Sequence, residues 1–177
     1  MDQDLIEKLK EVNLLGRGGA GFPTHFKWEA VKQHEDGGKI YVIANGSEGE
    51  PAVFKDEFVL KKYPEEFIGG IRLALDYFKN STAVVYLNHN YYDRYSTKLK
   101  RFSEGAPIQF FRKTARYIAG DETALLSHIE GARDEPRTKP PYPAERGLFG
   151  RPNLKNKSET FFRIYKIEND KYEGKTI

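Results

Sequence analysis

Residues 40–51 read IYVIANGSEGEP, a continuous apolar run that passes directly into a polar loop of glycines and carboxylates. The run at 40–44 has the length of a strand and is rich in β-branched residues, which is typical of a strand buried on both faces. Such strands belong to parallel sheets covered by helices, where ligands bind beyond the carboxyl ends of the strands. The stretch therefore predicts an α/β fold with a candidate site in the loop that follows the strand.

The flanking sequence repeats this alternation of helix and strand. Apolar residues at helical spacing predict helices over 4–12, 64–78, 91–102 and 122–130, and another that begins after Pro23 and Thr24. Apolar runs at 83–87 and 108–111 predict two more strands. From 131 to 152 proline and glycine punctuate the chain, so we expect an extended arm without regular helix or central strand. The pattern predicts one α/β domain with a mostly parallel sheet and a proline-rich arm toward its C-terminal end.

Composition narrows the classes of function. The 177 residues carry a net charge of only +3, and acidic and basic residues are interspersed along the chain, so we expect no nucleic-acid partner. The chain has no cysteine, which excludes disulfides, thiolate zinc sites and a cysteine-ligated iron–sulfur cluster within it. Its four histidines lack metal-ligand spacing, so no metal site is expected. With no apolar run of membrane-spanning length and no signal-peptide core, we expect a cytoplasmic protein without direct membrane insertion.

The stretch GRGGAGFPT at 16–24 places four glycines within six positions, just before a predicted helix. Glycines near the start of a helix let main-chain N–H groups approach an anion, so a phosphate group is the expected ligand. The spacing matches neither GxGxxG after a strand nor the P-loop, so the loop alone leaves a phosphate site and a tight structural turn equally open. Arg17 and Lys27 favour the phosphate interpretation.

Three further stretches combine polar groups that suit a cofactor. The loop NGSEGEP at 45–51 offers amide, hydroxyl and carboxylate groups to a polar ring edge or to ribose. The segment YIAGDETAL at 117–125 opens a helix with two acidic residues, and PRTKPPYPA at 136–144 holds a cation and an aromatic ring on a stiff backbone. Taken singly, each has a structural alternative: a solvated αβ turn, a favourable helix first turn, or a surface strap.

Taken in order, these motifs are far more specific. GRGGAGFPT, NGSEGEPAVFKDE, AGDETALLSHIEG, PRTKPPYPAERGLFGRP and SET resemble the NADH-binding flavoprotein subunit of respiratory complex I and the corresponding subunits of NAD-dependent hydrogenases and formate dehydrogenases. The resemblance covers about residues 14–160. It implies a Rossmann-like α/β domain that holds FMN noncovalently, with NADH laid over the flavin as hydride donor.

The resemblance also implies roles for individual residues. The loop residues would line the FMN and NADH site, with Lys27 at the FMN phosphate: Gly16, Arg17, Gly18, Gly19 and Ala20. Four residues after the first strand would border the flavin and ribose: Asn45, Ser47, Glu48 and Glu50. Another four would lie near the isoalloxazine and nicotinamide: Tyr117, Gly120, Asp121 and Glu122. Phe22, Lys139 and Tyr142 would serve the adenine end of the dinucleotide, and Asn156 the FMN phosphate. Glu50 and Glu122 are the candidate catalytic residues.

Four positions depart from the family pattern. Ser47 replaces a carboxylate, and Asp121 replaces the first of two glutamates. Ala30 stands where an aromatic ring often stacks on adenine, and Lys157 replaces a second asparagine. The changes at Ser47, Ala30 and Lys157 keep open a catalytically silent flavin- or nucleotide-binding or assembly subunit. An FMN-free binder of another phosphorylated ligand is a third alternative.

The resemblance further implies a domain boundary and an electron path. Residues 1–160 would form the FMN- and NADH-binding domain, and residues 161–177 the start of a missing β-grasp-like domain. Because this chain cannot ligate a cluster, electrons taken from NADH would pass to an unknown acceptor or to an iron–sulfur partner. The expected function is that of an NADH:acceptor oxidoreductase module, cytoplasmic or peripheral to a membrane complex.

Overall fold

The computed structural model describes residues 2–48, 53–113, 122–133 and 135–174. In this part of the chain four strands form one sheet: β1 (Ile40–Gly46), β2 (Ser81–Leu87), β3 (Ile108–Arg112) and β4 (Asn153–Lys157). Their order is β3-β2-β1-β4, and all three neighbouring pairs are parallel. β1 and β2 are buried almost throughout because helices cover both faces of the sheet. The predicted α/β fold with its parallel sheet is confirmed.

Eight helices occur in the same described residues. They are α1 (Asp2–Glu11), α2 (Thr24–Gln33), α3 (Lys55–Lys62), α4 (Pro64–Tyr77), α5 (His89–Phe102), α6 (Glu122–Ile129), α7 (Pro143–Arg146) and α8 (Ser158–Glu168). The five helices and three strands predicted from periodicity are all present, with ends shifted by at most a few residues. None of the helices in the described part is long and apolar enough to cross a bilayer.

Sequence patterns did not predict α3, α7, β4 or α8. The expectation that 131–152 contains no regular helix was wrong at α7, where Pro143 occupies a first-turn position that suits its fixed φ, and a 3₁₀ turn follows at Leu148–Gly150. β4 escaped notice because its sequence, NLKNK, is polar. It becomes a strand through its pairing with β1, in which Ala44 lies opposite Asn156.

The main core lies between the sheet and the pair α4–α8. Phe67, Ile71, Phe161 and Ile164 are fully buried there, and the two helices approach closely at Gly70, which faces the main chain of Phe161. The boundary expected after residue 160 falls inside α8, whose buried residues on both sides of that position belong to this core. A smaller cluster on the other face packs α6 against β1 and β2.

Candidate functional site

The order of the strands creates a crevice between the carboxyl ends of β1 and β4. From β1 the chain proceeds to β2 and β3 on one side, and β4 is then added on the opposite side of β1. Parallel sheets open at such a reversal because the connections leave in opposite directions, and ligands bind there. A cavity of about 360 Å³ occupies this crevice. Asn45 of β1 and residues 155–157 of β4 line one side, and the glycine-rich loop at 16–22 lines the other.

Hydrogen bonds hold the glycine-rich loop as a tight turn in front of α2. Gly16 N donates to Phe22 O at 2.8 Å, and Thr24 N donates to Leu14 O at 2.8 Å. Gly19 and Gly21 have φ values of 98° and 60°, which residues with a Cβ seldom adopt. The loop is therefore a structural turn and, at the same time, one wall of the cavity.

The cavity wall is basic. Four basic residues line it and no acidic residue does, among the residues described: Arg17, Lys27, Lys155 and Lys157. Lys27 Nζ donates to Lys155 O at 3.0 Å, which fixes the lysine across the crevice. Asn156 also lines the cavity, and its buried Nδ2 finds no hydrogen-bond acceptor in the described part of the chain. Such a set of donors suits an anionic ligand.

Buried groups of α8 orient Arg17. Its Nε donates to Glu159 Oε1 at 3.1 Å, and its main-chain N–H donates to Thr160 Oγ1 at 3.4 Å. The same Glu159 oxygen accepts from Arg163 Nε at 2.9 Å, and both side chains are almost completely buried. Lys55 Nζ adds a 2.8 Å hydrogen bond to Arg17 O. These bonds fix one edge of the guanidinium and leave the arginine at the cavity wall.

An ion pair lies behind the cavity wall. Lys157 Nζ is 3.6 Å from Oδ2 of Asp56, whose side chain is fully buried in the first turn of α3. Burial raises the pKa of Asp56 to about 6, Lys157 acts in the opposite direction, and the nearby Glu48 adds to the rise. Glu48 accepts from Tyr91 Oη at 2.9 Å and from Asp56 N at 3.2 Å. The Glu48 carboxylate therefore forms hydrogen bonds to α3 and α5 within the domain.

The structure brings many of the expected site residues together. The cavity is lined by Gly16, Arg17, Gly18, Ala20, Phe22, Lys27, Asn45 and Asn156. Gly19 belongs to the same loop without lining the cavity. Ser47 is buried beside it and donates from N and Oγ to Asn45 Oδ1, at 3.0 and 2.6 Å.

Other expected residues lie elsewhere or outside the described residues. Lys139 and Tyr142 are exposed on the proline-rich arm, next to Thr138, Pro141 and Pro143, which line a different cavity of about 590 Å³. Glu50, Tyr117, Gly120 and Asp121 lie outside the described residues, as does the side chain of Glu122.

Sequence reasoning missed several groups at the cavity. Lys155 and Thr160 line it, while Lys55 and Glu159 support it from behind. The available signal was the lysine-rich stretch NLKNK immediately before SET, whose side chains meet the glycine-rich loop once β4 pairs with β1.

Asp56 gives the stability of the domain a definite pH dependence. Its pKa rises from 3.8 in the unfolded chain to about 6 in the fold, so the folded state holds an extra proton between these values. Stability from this group is therefore present below pH 4 and lost as pH rises through 6. We expect the difference in unfolding free energy between wild type and Asp56→Asn to fall by about 2 to 3 kcal/mol from pH 4 to pH 7. Urea denaturation at each pH measures it, and a difference independent of pH would contradict the assignment.

A parallel sheet with a basic crevice at the reversal of strand order places the chain among α/β domains built to hold a ligand at strand ends. A family model described as the Nuo51 FMN-binding domain matches residues 9–166. The chain belongs to this family. The resemblance expected from the motifs is confirmed.

The relatives are subunits of larger enzymes. One of the NADH-quinone oxidoreductase subunits of Rhizobium meliloti (strain 1021) is 36% identical, over 89% of this chain and 41% of the relative. The alpha subunit of the NAD-reducing hydrogenase HoxS of Cupriavidus necator is 34% identical, over 93% of this chain and 30% of the relative. The crystal structure of an NAD⁺-reducing NiFe hydrogenase in the air-oxidized state superposes with a TM-score of 0.86 at 31% identity, covering 96% of this chain and 31% of that one. The chain spans about two fifths of the length of the first of these relatives.

Proposed function

We propose that this domain binds FMN in the cavity between the glycine-rich loop and the ends of β1 and β4, and that it accepts a hydride from NADH. The observation that carries the proposal is the basic lining of a crevice at the reversal of strand order, with no carboxylate among its described residues. Membership of an FMN-binding domain family supports the choice of ligand. The names of the relatives, an NADH-quinone oxidoreductase subunit and an NAD-reducing hydrogenase subunit, support NADH as the electron donor.

The residues present fit the phosphate of FMN. Lys27 and Lys157 supply positive charge at the cavity, and the buried Nδ2 of Asn156 supplies a donor that is without an acceptor in the described residues. The cavity also includes Thr160 in the first turn of α8, and the N-cap of this helix makes no side-chain hydrogen bond to that turn. Free N–H groups at a helix start favour an anion. The phosphate end of the ligand would therefore lie toward β4 and α8.

The bare loop leaves room for a flat ring system. A Cβ added to Gly18 would face Lys157 Cγ at 3.8 Å across the cavity, so the missing side chain keeps the space between loop and strand open. When bound, FMN supplies the chemistry of hydride acceptance, and the protein supplies position and electrostatics. Arg17, fixed by Glu159, would hold the anionic parts of the ligands at the rim.

The dinucleotide would enter over the loop. Phe22 is half exposed where it lines the cavity, and its ring lies 6.4 Å from the exposed ring of Phe26. These apolar surfaces suit a second ring system. Lys139 and Tyr142 at the adenine end, and Glu50 and Glu122 at the reacting rings, remain proposals that follow from the family pattern. An iron–sulfur partner subunit in the cytoplasm is the proposed electron acceptor, and the membership of the relatives in larger enzymes supports a partner.

The test is flavin retention followed by reduction. Purified protein incubated with FMN and freed of excess ligand should keep flavin absorbance, and anaerobic NADH should bleach that band. Protein that retains no flavin would contradict the binding proposal, and native mass spectrometry of the isolated protein would then identify any other phosphorylated ligand. Retained flavin that NADH cannot bleach would support a silent flavin-binding subunit instead.

A further inference from the structure

The ion pair between Lys157 and Asp56 joins the ligand cavity to the interior of the domain. Lys157 ends β4, lines the cavity and keeps 21% of its side chain exposed, whereas the Asp56 side chain is fully buried. Lys157 therefore contacts both the ligand cavity and the buried interior of the domain. Its ammonium group neutralises a buried carboxylate while its stem faces Gly18 across the cavity.

The ionised state of the Asp56 carboxyl group depends on the positive charge of Lys157. In the described part of the chain neither of its oxygens accepts a hydrogen bond. The other charged groups that act on it are Glu48 beyond β1, Glu159 on α8, and Lys55 on its own helix, whose Nζ donates to Arg17 O. Glu48 and Glu159 are acidic and disfavour the charged form of Asp56, while the Lys55 ammonium is engaged by the carbonyl oxygen of Arg17. A buried carboxylate without donors or a counter-ion is strongly disfavoured, so Asp56 is ionised only while Lys157 faces it.

We propose that Lys157 is the residue that selects a phosphorylated flavin, and that its ammonium passes from Asp56 to the ligand phosphate on binding while Asp56 takes up one proton from water. This inference rests on the proposed function, because it concerns the same cavity. The balance is simple: domain, ligand and one proton give the complex, and no covalent bond other than the carboxyl O–H changes.

The higher charge of the phosphate and the length of the lysine side chain favour transfer of the ammonium group from Asp56 to the ligand. A phosphate monoester carries close to two negative charges at neutral pH, against one on a carboxylate, and the lysine stem is long and flexible. Burial already holds the pKa of Asp56 near 6, so the proton it needs comes at a small cost at pH 7. Riboflavin, which lacks the phosphate, would leave the ion pair intact and cause no such proton uptake.

Calorimetric titration of the full chain with FMN at pH 7, in two buffers of different ionisation enthalpy, counts the protons taken up. We expect wild type to take up at least about half a proton more per FMN than Asp56→Asn does. Titration of the FMN phosphate itself is common to both proteins and cancels in this difference. Asp93→Asn, which removes an exposed carboxylate paired with Arg112, is the matched control and should behave as wild type.

A second variant tests the selection directly. Lys157→Met should reduce the preference for FMN over riboflavin by about tenfold or more, since one charge-assisted contact is lost. Equal proton uptake by wild type and Asp56→Asn, or an unchanged FMN-to-riboflavin ratio in Lys157→Met, would overturn the inference while leaving FMN binding itself in place. Wild type that binds no FMN would overturn the proposed function and this inference with it.

Discussion

Replacing Gly18 with valine is expected to weaken FMN binding strongly while leaving the stability of the domain nearly unchanged. The φ of Gly18 lies outside the left-handed region, and within the described part of the chain an added Cβ would meet only Lys157 Cγ, at 3.8 Å, an ordinary van der Waals distance. The Cβ therefore makes no clash, and the two methyl groups of valine occupy the cavity where the ligand belongs. We expect FMN affinity to fall at least about 100-fold, equivalent to about 2.7 kcal/mol. Equilibrium dialysis or quenching of flavin fluorescence measures it.

The control for Gly18→Val is Ala132→Val, which introduces the same β-branched side chain at an exposed loop position that does not line the cavity. It should bind FMN as wild type does. Thermal unfolding of both variants should show changes in stability within about 1 kcal/mol, as is usual for substitutions that create no clash. Gly18→Val protein that retains FMN with wild-type affinity would place the ligand elsewhere.

Replacing Gly70 with alanine is expected to be among the most destabilising single changes in the core. Its Cβ would overlap the carbonyl oxygen and carbon of Phe161, which are main-chain atoms of α8 and cannot rotate away. α4 and α8 would have to separate, and they form the most extensive helix–helix contact in the described part of the chain. Overpacking of this kind outweighs the gain of about 1 kcal/mol from better helix propensity, and we expect a net loss of about 3 kcal/mol in unfolding free energy.

The adjacent Gly69 provides the matched control. A Cβ there would meet the ring of Tyr165, a partly exposed side chain that can turn aside. Gly69→Ala brings the same gain in helix propensity without a main-chain clash, so its stability should stay within about 1 kcal/mol of wild type. Urea denaturation with an unchanged m-value compares the two. Equal losses at both positions would show that the approach of α4 to α8 is not the cause.

Prediction from sequence succeeded where local pattern and burial agree. The run at 40–44 was recognisable as a strand because a strand covered on both faces needs apolar residues at consecutive positions. α4 was recognisable because one of its faces, with Phe67, Ile68, Ile71 and Ala74, supplies the core at helical spacing. The ordered motifs also led to the family, which the comparison with known proteins confirms.

Prediction failed where tertiary contacts override local preference. NLKNK at 153–157 is a strand only because β1 offers its hydrogen-bonding edge, and α8 buries Arg163 and Glu159, which a periodicity of apolar residues does not mark as interior. Asp56 is a further example: it is a charged residue of a short helix, yet its side chain is fully buried and faces Lys157 of β4.

The sequence by itself determined the α/β class, the tight glycine-rich turn and the residue types suited to a phosphorylated ligand, because backbone freedom and apolar periodicity are local properties. Only the tertiary structure decided which basic residues line the cavity and which acidic groups they pair with. The β1–β4 register sets Asn45 beside Lys157, and the packing of α3 places Asp56 behind that lysine. Electrostatic coupling depends on distance and burial, and neither is encoded in the spacing of residues along the chain.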